Sequence, residues 1–283
     1  MTIAAVAPPL LVVVGMRREA ALLPEGMAVI CTGGDPRRAA RLLKAWAAAG
    51  DPDTNGQRRS GDAANRPSHA AGPFEAQARG SERRPAAAAV LSFGIAGALD
   101  PALRPGDLLI ATELRSAEGA RYPADATWSA ALAAITGARP GPLAGAASVA
   151  ADPAAKRALR AATGGSLAVD LESEPAAAFA AAHRLPFAAL RAVADTAAER
   201  IPPAALAGLT AEGRADPLAV LRGLARRPGD LADLLRVAAR SRAALAALAR
   251  AVALLGRDLG RGRLLPLALL PLLLLGERLL HMA

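Results

Sequence analysis

Two apolar runs joined by a glycine-bearing segment, Val90 to Leu114 (VLSFGIAGALDPALRPGDLLIATEL), constrain this chain more than any other stretch. The run Ala86–Leu91 leads into Ser92-Phe93-Gly94-Ile95-Ala96-Gly97-Ala98. Asp100, Pro101 and Pro105 then build a turn into Gly106-Asp107 and a second run, Leu108–Thr112. Short apolar runs bounded by turn residues predict two buried strands with a glycine-opened loop between them. Gly94 and Gly97 let a ligand approach the backbone where a Cβ would stand in the way. By spacing alone this is a weak sign of a pocket, because small-residue loops follow many strands.

The rest of the chain alternates in the same manner. Leu10–Val14 is a β-branched run expected as a first parallel strand, followed by a short helix over Arg17–Leu23 and a second strand over Met27–Cys31. Asp35 with Pro36 behind it is a capping pair for a helix through Arg37–Ala49. Strands are expected over Leu143–Ala150, Leu167–Leu171 and Pro186–Val193, with helices over the second half of Tyr122–Ile135, over Ala154–Ala162 and over Ser173–His183. Such alternation argues for an α/β layered domain, assigned to residues 1–212. Residues 51–85, rich in Gly, Pro, Ser, Asn, Gln and Arg, are too polar to pack and are expected to be a disordered insertion. Residues 213–283 form an Arg-rich helical tail whose apolar end is 264–275.

Apolar residues make up 53% of the 283-residue chain but aromatic ones only 2%, so the core must be built from Ala, Leu and Val. The net charge of +9 is concentrated in the tail, where twelve Arg face five acidic residues. Such a surplus favours an anionic partner. Without aromatic interleaving or a nucleic-acid motif, a membrane surface is the expected partner and nucleic acid is not. On the helical wheel Leu231, Leu234, Leu235, Ala238, Leu245, Leu248 and Val252 fall on one broad face, which suits a packed helix as well as a membrane-surface one. The run at 264–275 is interrupted by Pro266 and Pro271 and is too short to span a bilayer, which takes about 20 apolar residues. Flanked by Arg257, Arg261, Arg263 and Arg278, it is expected to be an interfacial anchor, the alternative being docking on the protein's own core. Cys31 is the sole cysteine, and His69, His183 and His281 are isolated, so neither a disulfide within the chain nor a metal site is expected. No basic leader with a cleavage site opens the sequence, so the expected compartment is the cytoplasm, with peripheral contact at the inner membrane.

The wording of the central stretch is more specific than its spacing. Gly94–Leu99 follows a G-x-x-G-(G/A)-L pattern, and Pro105-Gly106-Asp107-Leu108 a P-G-D-(L/I/V) strand start. Val169-Asp170-Leu171-Glu172 and Pro186–Asp195 (PFAALRAVAD) follow in order, and Gly15-Met16-Arg17-Arg18-Glu19-Ala20 precedes them. In these blocks the chain resembles the nucleoside phosphorylase and nucleosidase superfamily, in particular its methylthioadenosine/adenosylhomocysteine nucleosidase branch. With Gly33–Ala39 (GGDPRRA) it is most similar to the hopanoid-associated phosphorylases. The resemblance implies a three-layer fold with a mixed central β-sheet flanked by helices, here carrying the helical tail.

Cleavage of an N-ribosyl bond requires a proton for the leaving base, a hold on the oxocarbenium-like sugar and a nucleophile for the anomeric carbon. The resemblance implies Asp195 as the acid that protonates purine N7, a residue that read alone is a helix cap after a strand. It implies Glu172 on the ribose hydroxyls, with Leu171 in the place of a sugar-packing Met, and Glu19 as the activator of water. Read alone, Glu19 is a surface acid on a helix. Asp170 matches a nearby acidic position without an assigned role. Gly97 matches a residue lining the nucleoside, and Val149 one whose backbone reads the purine edge. Ser148 stands where an aromatic usually stacks, which leaves Phe93 or Phe179 to supply stacking. The loop positions that hold phosphate in several phosphorylases read Ser92 and Ile95, so phosphate ligands would come from Arg17, Arg18, Arg37 or the Gly33 and Gly34 amides. The subfamily resemblance implies phosphorolysis with phosphate as co-substrate, the residues themselves and the retained Glu19 leave hydrolysis open, and no cofactor is expected. The implied reaction is removal of adenine from adenosylhopane. The alternatives are a soluble methylthioadenosine/adenosylhomocysteine nucleosidase and a non-catalytic nucleoside-binding protein at a membrane. The resemblance also implies a homodimer.

Overall fold

Five consecutive buried residues, Leu10–Val14 (β1), start the sheet with strands on both sides. Such unbroken apolar runs mark parallel strands covered on both faces. β1 is parallel to Ala28–Cys31 (β2) and to Ala89–Ala98 (β3). The computed structural model describes residues 10–50, 87–210 and 212–261. The insertion expected at 51–85 and the apolar end at 264–275 lie outside the described residues.

β3 is the hub. Its first half pairs with β1, its last two residues pair antiparallel with Ala168–Asp170 (β7), and Phe187–Asp195 (β8) runs parallel to it along most of its length. The glycine segment is therefore strand and not the expected loop. β8 on one side, and β1, the Glu19 carboxyl group and β7 in turn on the other, take up its backbone groups, which holds it as a strand. A register slip against β8 between Ala96 and Gly97 bends β3 away from β1 and towards β7. β8 is also antiparallel to Leu108–Arg115 (β4), which is parallel to Arg139–Gly145 (β6), itself parallel to β7. The pairings β3–β8–β4–β6–β7–β3 close a ring within the mixed sheet.

Two strands differ from expectation. Arg121–Pro123 (β5) pairs antiparallel with the end of β4 and has no apolar alternation to betray it. β6 begins at Arg139 because Pro140 and Gly141, which read as turn residues, sit in register with Ile110 and Ala111. It ends at Gly145, and the next residues form a rim.

The helices are Arg17–Ala20 (α1), Pro36–Gly50 (α2), Ala126–Thr136 (α3), Pro153–Ala162 (α4), Ser173–Ala182 (α5), Pro203–Leu206 (α6), Pro217–Arg226 (α7) and Leu231–Leu255 (α8). Asp35 Oδ1 accepts the Arg37 amide at 2.8 Å, and Asp152 Oδ1 the Ala155 amide at 2.8 Å, each acid standing before a proline at the first helical position. Leu11 and Val13 of β1 face a core with Leu43 of α2 and Ala176, Phe179 and Ala180 of α5. Leu10, Val12 and Val14 face the opposite core, with Trp128 and Leu132 of α3 and the end of α8. The period-two alternation of one strand thus feeds both cores, giving three layers with the mixed sheet in the middle.

α8 packs on the sheet by a different stripe from the one expected. Ala244, Ala247, Leu248, Ala251 and Leu255 are buried, whereas Leu231 and Leu235 are 47% and 61% exposed. Alanines let the helix axis approach β8 closely, and a rule that weights large apolar residues picks the wrong face. Arg242 is exposed and outside the packed stripe. Among the described residues no helix is long and apolar enough to cross a membrane.

Candidate active site

Three chain segments end at one place: β1 at Gly15, β7 at Asp170 and β8 at Asp195, all facing the second half of β3. The pocket there is lined by Glu19, Gly97, Val149, Leu171, Glu172 and Asp195 among others. Sequence reasoning named all six, and the fold brings them together. Carboxyl ends of strands are the usual place for a ligand in layered α/β sheets, because the loops that follow diverge there.

Glu19 sits at the third position of α1 and reaches back over the helix start. Its Oε2 accepts the Gly15 and Met16 amides at 2.9 and 2.8 Å, and its Oε1 accepts the Ile95 amide of β3 at 2.8 Å. The bond to Met16, the residue before the helix, is half of a capping box. Glu19 is thereby 2% exposed and not the surface acid its helix suggests. Burial pushes its carboxyl above the ordinary value, against the opposing pull of Arg191 and the three amides.

Glu172 follows β7. Its Oε2 lies 3.7 Å from Arg191 Nη1, and its Oε1 is 3.5 Å from Thr32 Oγ1. Burial first, then the neighbouring Asp170 and Glu19, push it up to about 8, with Arg191 opposing. Asp170 Oδ1 accepts the Glu172 and Ser173 amides at 2.9 and 2.6 Å, which fixes the start of α5 and aims Glu172 into the pocket.

Arg191, fully buried on β8, ties these groups together. Its Nη2 donates to Asp170 Oδ1 at 2.9 Å, to Ser92 Oγ at 2.5 Å and to Ser173 Oγ at 2.9 Å. Its Nη1 has no hydrogen-bond partner among the described residues and lies 3.7 Å from Glu172 Oε2. Gly94 makes room for this cluster, since a Cβ there would stand 2.5 Å from Glu19 Oε1 and 2.6 Å from Arg191 Nη1.

Asp195 closes β8 against Gly97, whose absent Cβ would lie 3.1 Å from Oδ2. Oδ2 is paired with Lys156 Nζ of α4. Burial raises the Asp195 carboxyl, and Lys156 and then Arg240 counter it. Lys156 and Arg191 are participants that sequence reasoning did not single out, and Asp170 is one it left without a role. Arg191 stood inside a quoted motif. Lys156 offered one signal, being one of only two lysines in an arginine-rich chain.

Other residues named from sequence lie elsewhere. Phe93 is fully buried in the core with Trp128 and Leu132 and does not reach the pocket. Phe179 packs in the opposite core against Trp46 and His183. Neither can stack on a base in the pocket, because strand and helix periodicity turn both side chains inward. Arg18 and Arg37 are exposed and outside the lining. Gly34 lines the pocket, but its amide faces Thr32 Oγ1 at 3.3 Å, and the Gly33 amide donates to the Gly15 carbonyl at 2.9 Å. Those two amides are engaged within the protein. No described basic side chain belongs to the lining, and apart from Ser148 its remaining side chains are apolar, with Met16, Ile201 and Leu209 beside the acids.

Four buried carboxyl groups (Glu19, Asp170, Glu172, Asp195) thus surround two buried cations (Arg191, Lys156).

The family model for the phosphorylase superfamily matches residues 84–253. Among solved structures the chain is similar to a mutant 5′-methylthioadenosine/S-adenosylhomocysteine nucleosidase of Helicobacter pylori with 5′-methylthioadenosine in its active site. The TM-score is 0.53 at 14% identity, covering 88% of this chain and 99% of that one. The nucleosidase of Neisseria meningitidis in complex with methylthio-immucillin-A gives 0.52 at 16% identity, covering 87% and 99%. That of Colwellia psychrerythraea in complex with adenine gives 0.51 at 13%, covering 86% and 95%. At these identities the likeness is one of fold. A search of curated proteins gave no match.

Proposed function

The chain belongs to the phosphorylase superfamily, and from that premise we propose that it cleaves the N-ribosyl bond of a purine nucleoside with water as the nucleophile. The observation that carries this reading is the charge of the pocket: every charged side chain of its lining is an acid, and no described basic side chain lines it to hold a phosphate. In this reading the C1′–N9 bond breaks with its electrons passing to the purine. Asp195 gives its proton to N7, so that a neutral base departs. Burial, which raises the Asp195 carboxyl, keeps it a proton donor towards neutrality. The sugar left behind is oxocarbenium-like, and the Glu172 carboxyl, largely protonated at neutral pH, hydrogen-bonds its hydroxyls. Water adds to C1′, and its proton passes to Glu19, which three backbone amides hold in one orientation.

Met16, Ile201 and Leu209 give the pocket an apolar wall, which favours an apolar 5′ substituent. Methylthioadenosine and adenosylhopane both have one. The lipid-linked nucleoside stays the expected natural substrate on the strength of the sequence resemblance and the Arg-rich tail.

The test is chromatographic release of adenine from methylthioadenosine, from adenosine and from adenosylhopane in detergent micelles. The reading expects release from at least one 5′-apolar nucleoside and none from the D195N variant. No release from any of the three, or undiminished release by D195N, would sink it.

A further inference from the structure

Lys156 is 1% exposed, in a chain whose only other lysine is Lys44 and whose remaining basic side chains are almost all arginine. It stands in the first turn of α4, and its ammonium has three acceptors: Asp195 Oδ2, the Thr196 carbonyl at 2.6 Å and the Glu199 carbonyl at 3.2 Å. Three donors meeting three oxygens is the full capacity of an ammonium group, so the site is built for the charged form. Burying such a charge is costly unless it is paired and hydrogen-bonded, and here it is both. The same turn is held from outside. Glu199 Oε2 accepts the Thr196 amide at 3.0 Å, and the Glu199 carboxylate pairs with Arg240 of α8. Lys156 of α4 thus holds one oxygen of Asp195 and ties it to the loop after β8, which Arg240 of α8 braces through Glu199, while Oδ1 accepts no hydrogen bond from a described residue.

We propose that Lys156 is a positioning residue for Asp195: it fixes Oδ2 and supplies the counter-charge for the carboxylate that forms when the proton leaves for the base. This rests on the hydrolytic reading above. In the step concerned the Asp195 O–H bond breaks, an N7–H bond forms on the purine, and the C1′–N9 electron pair goes to the departing ring. The carboxylate then faces an ammonium that was in place beforehand, so no reorganisation is needed at the moment of transfer. The charged groups around Asp195 are Lys156 from α4 and Arg240 from α8, with the Glu199 carboxylate on Arg240. Asp170, Glu172 and Glu19 lie across the pocket, and β3 contributes only the uncharged Gly97.

The deciding variant is K156Q, which keeps donors for the Thr196 and Glu199 carbonyls and removes the charge. K156R restores the charge. Three quantities are read: kcat and KM against pH, the carboxyl 13C titration of Asp195 assigned with D195N, and the melting temperature. For K156Q we expect a loss in kcat of roughly ten- to a hundredfold with KM little changed, smaller than the 10²–10⁴ an acid itself supplies. We also expect the basic limb of the pH profile and the Asp195 titration to move up by about one to three pH units. K156R returns both towards the wild-type position, and carries the comparison should K156Q fail to fold. An unmoved basic limb and an unmoved Asp195 titration, with activity loss tracking only the unfolded fraction, overturn the proposal. A wild-type protein that releases no base from any nucleoside sinks the hydrolytic reading itself, and this role for Lys156 with it.

Discussion

Glu19 Oε1 accepts the Ile95 amide at 2.8 Å, so an acid carried by the first short helix is fastened to the strand at the centre of the sheet. With the Gly15 and Met16 amides on its other oxygen, three backbone donors are satisfied by one carboxylate. A carboxamide has a single acceptor oxygen, so E19Q sets an NH2 group against at least one of these donors. The expected result is a stability loss of about 1–3 kcal/mol by urea unfolding, the usual cost of an unpaired buried polar group. Base release falls in addition by roughly 10²–10⁴, the range for a general base.

Two glycines of β3 make separable predictions. A Cβ on Gly94 meets Glu19 Oε1 and Arg191 Nη1 at 2.5 and 2.6 Å, both fixed by buried bonds, so G94A destabilises the fold by about 1–3 kcal/mol. A Cβ on Gly97 meets Asp195 Oδ2 and Oδ1 at 3.1 and 3.3 Å, a tight contact that a small rotation relieves. G97A is expected to keep its melting temperature within a few degrees and to lose kcat, because the carboxyl that moves is the proton donor.

The Glu172 carboxyl, pushed by burial up to about 8 in the folded protein from its ordinary value of 4.5, sets a pH dependence of stability. Between these values the folded chain keeps a proton that the unfolded chain has released. Stability is therefore fully present below about pH 4.5 and is lost as pH rises towards 8, at up to about 1.4 kcal/mol per pH unit. Glu19 and Asp195, also raised, act in the same direction. Urea unfolding at a series of pH values from 5 to 8 checks this, and E172Q is expected to flatten the slope.

Arg191 pairs with Asp170 at 2.9 Å, both of them buried. R191M leaves Asp170 and Glu172 without their cation, and the expected loss is about 3–5 kcal/mol in a thermal or urea melt. Adding D170N to R191M removes one stranded charge and is expected to recover part of that loss.

What the sequence made legible follows a physical line. β1, β4, β8, α4 and α5 were readable because unbroken apolar runs and Asp-Pro caps are local signals. Glu19, Glu172 and Asp195 were readable because they stand inside short, ordered motifs. β5 was hidden because three residues at a sheet edge carry no periodicity. The packed stripe of α8 was hidden because alanines form it while leucines stay exposed. Phe93 was misplaced since the alternation of β3 decides which core receives it, and that parity depends on a register with β8 set ninety residues away. Lys156 illustrates the general difficulty. It lies 39 residues before Asp195, and only the packing of α4 beside β8 makes them neighbours.

The claim at the centre of this account is that water, and not phosphate, attacks the anomeric carbon. It is tested by turning over methylthioadenosine, or adenosylhopane in micelles, in 18O-labelled water with inorganic phosphate present. Mass spectrometry then identifies the sugar product. The account predicts a free reducing sugar carrying one 18O at C1, formed at the same rate with and without phosphate. A sugar 1-phosphate without the label, formed only when phosphate is supplied, would contradict it.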